Sequence, residues 1–315
     1  MGAVPRQKEV RIPTMKKVLL IINPASGTRQ WRRFLPDWLA LLGEADFLPA
    51  VMLTRARGDA CEWARKWASD YDLLIVCGGD GTLNEAVTGL LAGDHRTPVG
   101  YLPAGSTNDF AAGLGLSTNL MQACRDLLRG VPRVLDIGRF GPNRYFTYTA
   151  SFGLFSSVSY STPQSAKNLL GHVAYILEGI RSLADVRPIH LKIRTDDREV
   201  EDDYIFGAVC NSTSLGGVLK LDENVVHMSD GLFETLLIPF PVDLLALNRV
   251  LAALRGKNYG DPSLVFLRSR RFEIVADGEI SWSLDGEEAV SARVQEIVNL
   301  HEAVRILCPP SPAGM

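Results

Sequence analysis

The sequence predicts a two-domain protein: an α/β N-terminal domain on a parallel sheet, then a mainly antiparallel, β-rich second domain. Three observations carry this. Apolar runs alternate with helical patterns through roughly the first 130 residues, short β-rich segments crowd the remainder, and 315 residues with 46% hydrophobic content supply two cores.

Residues 17–22, KVLLII, are an unbroken apolar run ending in the turn-forming NPASG. Such a run reads as a buried parallel strand. A helical pattern follows over 30–43, interrupted by Pro36, and 46–53 reads as a second strand. Ala60, Trp63, Ala64, Trp67 and Ala68 recur at helical spacing. Residues 73–77 are wholly apolar and stop at GGDG, 82–91 reads as a helix, and 98–102 is a short strand stopping at PAGSTND. In such sheets ligands bind beyond the carboxyl ends of the strands. The loops 23–28, 78–82 and 103–109 are therefore expected to converge on one crevice.

The texture changes after residue 134. Segments 133–140, 144–155, 188–195, 204–211, 232–238, 271–277, 280–284 and 288–294 read as strands, with helical stretches near 163–184 and 241–256. The apolar 304–307 can return to the first domain. The expected boundaries are 16–137 plus about 298–315 for the first domain and 138–297 for the second, with 1–15 a flexible tail.

A net charge of −3 argues against a nucleic-acid partner, which needs a basic stripe. Five scattered cysteines without a CxxC pair point to a reducing, cytoplasmic compartment. The first fifteen residues lack a signal core, Arg6 stands where a myristoylation site needs Ser or Thr, and no apolar run approaches a membrane span. A lipid substrate would have to be met by transient peripheral contact with a membrane surface. The oligomeric state stays open, a homodimer included.

Gly78 and Gly79 let backbone amides approach a phosphate closely. Thr82 opens a helix whose free amides favour an anion. Asp80 points to the same place, which makes sense if Mg²⁺ lies between carboxylate and phosphate. Alone, GGDG reads equally well as a tight turn with Asp80 as a cap. NPASG and PAGSTNDFA tip the balance, because Gly105, Ser106, Thr107 and Asn108 form a second run of small polar residues and Asp109 a second acid. Two acids beside such loops suit metal-assisted phosphoryl transfer. No GxxxxGK[ST] and no GxGxxG occurs. In SLDGEEA, Asp285 and Glu287 flank Gly286; by itself this is a β-turn with exposed acids, yet both carboxylates could reach one cavity.

NPASG, GGDGTLNEA, PAGSTNDFA, DGLFE and LDGEE, in that order from about 16 to 308, resemble the diacylglycerol kinase catalytic family, above all its soluble bacterial-type lipid kinases, relatives of sphingosine kinases. The resemblance implies an active site between the two domains. ATP would be contacted at Asn23, Pro24, Ser26, Gly27, Thr54, Gly78, Gly79, Asp80, Gly81, Thr82, Asn84, Glu85, Gly105, Thr107 and Asn108. Asp80 and Asp109 would anchor Mg²⁺, Glu287 would accept the hydroxyl proton with Asp285 beside it, and Asp136 would give electrostatic support. A structural metal is implied at Asp230, the Leu232 carbonyl and His227, although imidazole is a poor partner for Mg²⁺. The chain departs from the family at Thr28–Arg29, where a lysine often follows NPxSG, and at PAGST. The implied reaction is ATP-dependent phosphorylation of a lipid hydroxyl, first diacylglycerol to phosphatidic acid. A sphingoid base, another glycerolipid or NAD as acceptor, or a non-catalytic binding module, are the alternatives.

Other residues read more plainly. Trp31, Phe34 and Trp38 among Arg29, Arg32 and Arg33 fit an amphipathic helix better than a membrane-touching patch. Arg268, Arg270 and Arg271 fit a protected strand edge. His95, His172, His190 and His301 receive no role. Phe152, Phe155 and the segment 169–177 are candidate lipid-pocket positions.

Overall fold

The computed structural model describes residues 15–27, 29–153, 187–211, 214–215, 219–220 and 227–310. The expected helix near 163–184, with Phe155, His172 and 169–177, and nearly all of the tail lie outside the described residues.

The first unit alternates β1 (Lys16–Ile22), α1 (Trp31–Glu44), β2 (Phe47–Leu53), α2 (Asp59–Trp67), β3 (Leu73–Gly78), α3 (Asp80–Ala92) and β4 (Val99–Pro103). The strands are parallel in the order β2-β1-β3-β4. The unbroken apolar runs of β1 and β3 follow from burial on both faces. Leu19, Ile21, Leu74 and Val76 pack against Ala60, Trp63, Leu83 and Val87 of α2 and α3. Val18, Leu20, Leu73 and Ile75 face Trp31, Trp38 and Leu42 of α1 on the other side. Two helices follow, the short α4 (Asp109–Gly113) directly after the small polar run 105–108, and α5 (Leu120–Leu128), which the sequence reading did not place. Asn119 caps α5, accepting from the amides of Met121 and Gln122. Trp31 and Trp38 are buried, with Arg32 stacked over Trp31, so α1 turns its tryptophans inward.

The remainder is mostly antiparallel: β5 (Val131–Phe140), β6 (Arg144–Phe146), β7 (Thr149–Gly153), β8 (Ile189–Arg194), β9 (Glu199–Cys210), a ribbon of β10 (Ser214–Leu215) and β11 (Leu219–Lys220), β12 (Phe233–Pro239), β13 (Val265–Ser269), β14 (Arg271–Ala276), β15 (Ile280–Leu284), β16 (Glu287–Ser291) and β17 (Val294–Cys308). Among the described residues, helix α6 (Leu244–Arg255) packs on β9 and β12. Phe152 lies in the core, edge-on to Trp282, rather than on an open pocket wall.

Hydrogen bonding runs unbroken through both units in the order β16-β15-β7-β9-β8-β14-β17-β4-β3-β1-β2. Strand β17 makes the join. Its first half pairs with β14, Ile306 pairs in parallel with Val99 of β4, and β5 accompanies it along both parts. The expected boundaries at 137 and 298 thus fall inside two long strands. The register shifts between Leu300 and Val304, where Glu302 adopts a left-handed φ of 50°.

Candidate active site

The loops after β1, β3 and β4 meet at one end of the parallel sheet, and glycine makes the meeting physically feasible. A Cβ at Gly27 would collide with the Ala104 carbonyl, and one at Gly105 would lie 2.6 Å from the Gly79 Cα. Asn23 donates from its side chain to Thr82 Oγ1 at 3.0 Å, joining the first loop to the second. Asn108, in the left-handed region at φ 54°, clamps the third loop by accepting from the Gly105 amide and donating to the Gly105 carbonyl.

Asp80 opens α3 and is buried. Its carboxylate accepts the backbone amides of Asp109 at 3.0 Å and Phe110 at 3.3 Å, and the Tyr101 hydroxyl at 3.4 Å. Asp80 therefore caps the next helix, α4, while remaining at the phosphate turn. Burial raises its carboxyl above the usual range against the pull of those donors. Asp109 is pushed up to about 6, first by burial and then by the charges of Asp80 and Asp285. Two neighbouring acids, with the Asp80 charge raising the proton affinity of Asp109, form a field that a hard cation relieves. Among the described residues no group of three or more His, Cys, Asp or Glu side chains could hold a metal ion. The pair by itself would suit a hard divalent cation with carboxylate oxygens.

Asp285 and Glu287 part company. They flank the β15–β16 turn, with φ 49° at Asp285 and 86° at Gly286. Asp285 is buried, and its carboxylate accepts the Thr147 amide and hydroxyl, the amides of Tyr148 and Thr149, and the side chain of Asn84. Burial pushes its carboxyl up and these donors pull it back. The two carboxylates do not share one open cavity as the sequence reading allowed, because the turn sends one inward. Glu287 stands in the cleft, its side chain 48% exposed, ion-paired to Arg57. Its Oε1 lies 3.0 Å from where a Gly81 Cβ would be, directly over the phosphate turn.

Among the other expected contacts, Asn84 also donates to the Tyr145 carbonyl, and Glu85 accepts the Gly58 amide at 2.9 Å. Both tie α3 to its neighbours. Pro24 offers its carbonyl to the Trp31 indole, while Thr54 lies at the end of β2, its amide on the Ile22 carbonyl. Ser26 closes the first turn through its amide, and Thr107 is exposed beside Asp80.

Asp136, fully buried, accepts from the amides of Gly231 and Glu302 and from Asn299. His301, given no role by the sequence, lies 3.0 Å from the Asp136 carboxylate through Nδ1. The residues proposed for a structural metal do not fit one. Asp230 takes the Arg268 guanidinium at 2.8 Å and the Leu232 amide at 3.0 Å, and the Leu232 carbonyl accepts from Asn299. Arg268 also reaches Glu234 at 3.0 Å, so a guanidinium already supplies the positive charge, and His227 is exposed. The sequence reading did not pair Tyr101, Arg57 or Arg268 with these acids, because only the fold, through the β2–α2 loop for Arg57 and strand register for Arg268, brings them together.

No helix among the described residues is long and apolar enough to cross a membrane. All five cysteines are free.

Two family models divide the chain. Residues 17–140 match the diacylglycerol kinase catalytic domain, and 149–308 match the YegS C-terminal NAD kinase beta sandwich-like domain. The chain is similar to a protein named diacylglycerol kinase from Bacillus subtilis (strain 168), 31% identical over 95% of this chain and 98% of that one. It is also similar to one from Staphylococcus epidermidis, 32% identical over 93% and 92%. A Bacillus anthracis crystal structure matches with a TM-score of 0.78 at 26% identity, covering 94% of this chain and 98% of its own.

Proposed function

The chain belongs to the diacylglycerol kinase family and is a lipid kinase, and on that premise we propose that it transfers the γ-phosphoryl group of ATP to the free hydroxyl of diacylglycerol, giving phosphatidic acid. One observation carries the reading. Glu287, delivered by the second unit, lies over Gly81 in the phosphate turn of the first.

Each group then has a task. The glycine-lined turn and the first turn of α3 offer amides and a positive dipole end to the phosphates. Asp80 and Asp109 would hold a Mg²⁺, which would neutralise phosphate charge. Glu287 takes the acceptor hydroxyl's proton as that oxygen bonds to the γ-phosphorus and the bridging oxygen leaves with ADP. Asp285 positions by holding Asn84 of α3 and the hairpin that carries Glu287. Because diacylglycerol resides in a bilayer, the enzyme meets it by transient contact with a membrane surface.

The test offers labelled ATP and Mg²⁺ to the protein with mixed micelles of diacylglycerol, a sphingoid base or monoacylglycerol, and with NAD in solution. Labelled phosphatidic acid is expected as the main product. Label entering NAD alone, or no acceptor, overturns the reading.

A further inference from the structure

We infer that Arg57 is a positioning residue exchanged between Glu287 and the nucleotide's phosphates, so that the proton acceptor stays masked until nucleotide is seated. This rests on the ATP reading above and adds a regulation of the same site.

Arg57 belongs to the loop between β2 and α2, and Glu287 opens β16, 230 residues away in sequence. The loop is pinned. Asp59 accepts the amides of Arg55 and Ala56 at 2.6 and 3.1 Å, and the Gly58 amide donates to Glu85, one helical turn beyond Gly81 on α3. The backbone of Arg57 is thus fixed beside the phosphate turn, while its side chain is 74% exposed and free to swing. Its guanidinium holds one Glu287 oxygen, and the other oxygen faces Gly81. The cation is therefore within a side chain's swing of the place where phosphate would lie. Glu85 feels both partners: burial raises its carboxyl first, Glu287 raises it further and Arg57 lowers it.

The exchange follows from relative strengths. An exposed ion pair is weak. A phosphate offers more charge and more oxygens, in a geometry the planar guanidinium matches with two parallel bonds. A groove of about 640 Å³ adjoins the pair, with Arg144, Gly286 and Glu288 on its walls, so the side chain has room to turn. Once Arg57 has moved, the Glu287 carboxylate is left without its cation and faces the cleft, ready for a hydroxyl proton.

The test is binding of a non-hydrolysable ATP analogue with Mg²⁺, measured by calorimetry on the full chain. Removing the base should tighten binding, because Arg57 no longer has to leave a partner. Glu287→Ala is expected to bind ~3–5-fold tighter than wild type, the scale of one exposed ion pair. Arg57→Gln is expected to bind ~10-fold weaker, with Arg57→Lys between it and wild type. In the Arg57→Gln/Glu287→Ala double variant the gain should vanish. Simple repulsion between Glu287 and phosphate would instead leave the gain intact without Arg57, and that result overturns the inference. So does a Glu287→Ala protein that binds no tighter than wild type. Should Arg57→Gln not fold, the same cycle runs on Arg57→Lys, where the gain must shrink. Failure of wild type to bind the analogue at all would sink the ATP reading itself, and this inference with it.

Discussion

Asn84 donates to Asp285 at 2.8 Å and so ties the nucleotide-side helix α3 to the β15–β16 hairpin of the second unit. The same carboxylate holds the amides of Thr147, Tyr148 and Thr149. Asp285→Ala leaves these buried donors without an acceptor, at about 1–3 kcal/mol each. A loss of about 3–5 kcal/mol in urea unfolding is expected, with turnover falling because the hairpin no longer holds Glu287 in place. An Asp285→Ala protein of wild-type stability but no turnover would reassign this residue to the chemistry.

Glu287 should behave oppositely. Its side chain is half-exposed and its pairing with Arg57 is open to solvent. Glu287→Gln is expected to lower kcat by ~10²–10⁴, the usual contribution of a positioned base. Its urea midpoint should correspond to a stability within about 0.5 kcal/mol of wild type, as for other surface changes. Turnover at the wild-type rate would remove the proton-acceptor role.

The contrast between these two acids shows where sequence reading stops. The α/β first unit was legible because β1 and β3 are buried on both faces and so appear as unbroken apolar runs. Glycines in NPASG, GGDGT and PAGST marked the loops because only glycine tolerates such close backbone approach. Within SLDGEEA, by contrast, nothing distinguishes an inward carboxylate from an outward one; that depends on the turn geometry and on donors more than 130 residues away. Strand β13 and helix α5 escaped because they are short, five and nine residues, although α5 buries Leu120, Ala123, Cys124 and Leu127 at helical spacing. The Arg268 link to Asp230 arises from the β12–β13 register, where Glu234 faces Arg268, and no motif encodes it.

Asp80 and Asp109 should also be separable. Asp109 has its carboxyl raised to about 6 by burial and by neighbouring acids. Asp109→Asn removes that repulsion, so the metal-free protein is expected to melt at a higher temperature than wild type at pH 7. Its melting temperature should then rise less on adding Mg²⁺ and nucleotide. Asp80 accepts the two amides that begin α4, so Asp80→Ala should cost about 1–2 kcal/mol through the lost cap even without metal. Differential scanning calorimetry with and without Mg²⁺ checks both signs. A metal-free Asp109→Asn protein less stable than wild type would contradict the repulsion argument.

Glu234 gives a pH dependence remote from the cleft. It is fully buried opposite Arg268, and burial pushes its carboxyl up to about 7 despite the guanidinium. One of its oxygens, Oε2, has no hydrogen-bond partner. Because the folded value exceeds the ordinary carboxyl value of 4.5, the folded chain holds the proton more tightly than the unfolded chain. The resulting stabilisation is complete below about pH 4.5 and is lost as pH rises through about 7. The expected size is on the order of 2–3 kcal/mol, reduced by solvent around the half-exposed Arg268. Glu234→Gln should abolish this component while leaving every other titrating group in place. Urea unfolding of both proteins at intervals from pH 4.5 to 7.5 isolates it as a difference. The wild-type curve should fall more steeply with rising pH, and parallel curves would show that Glu234 is ionised throughout that range and held by Arg268 alone.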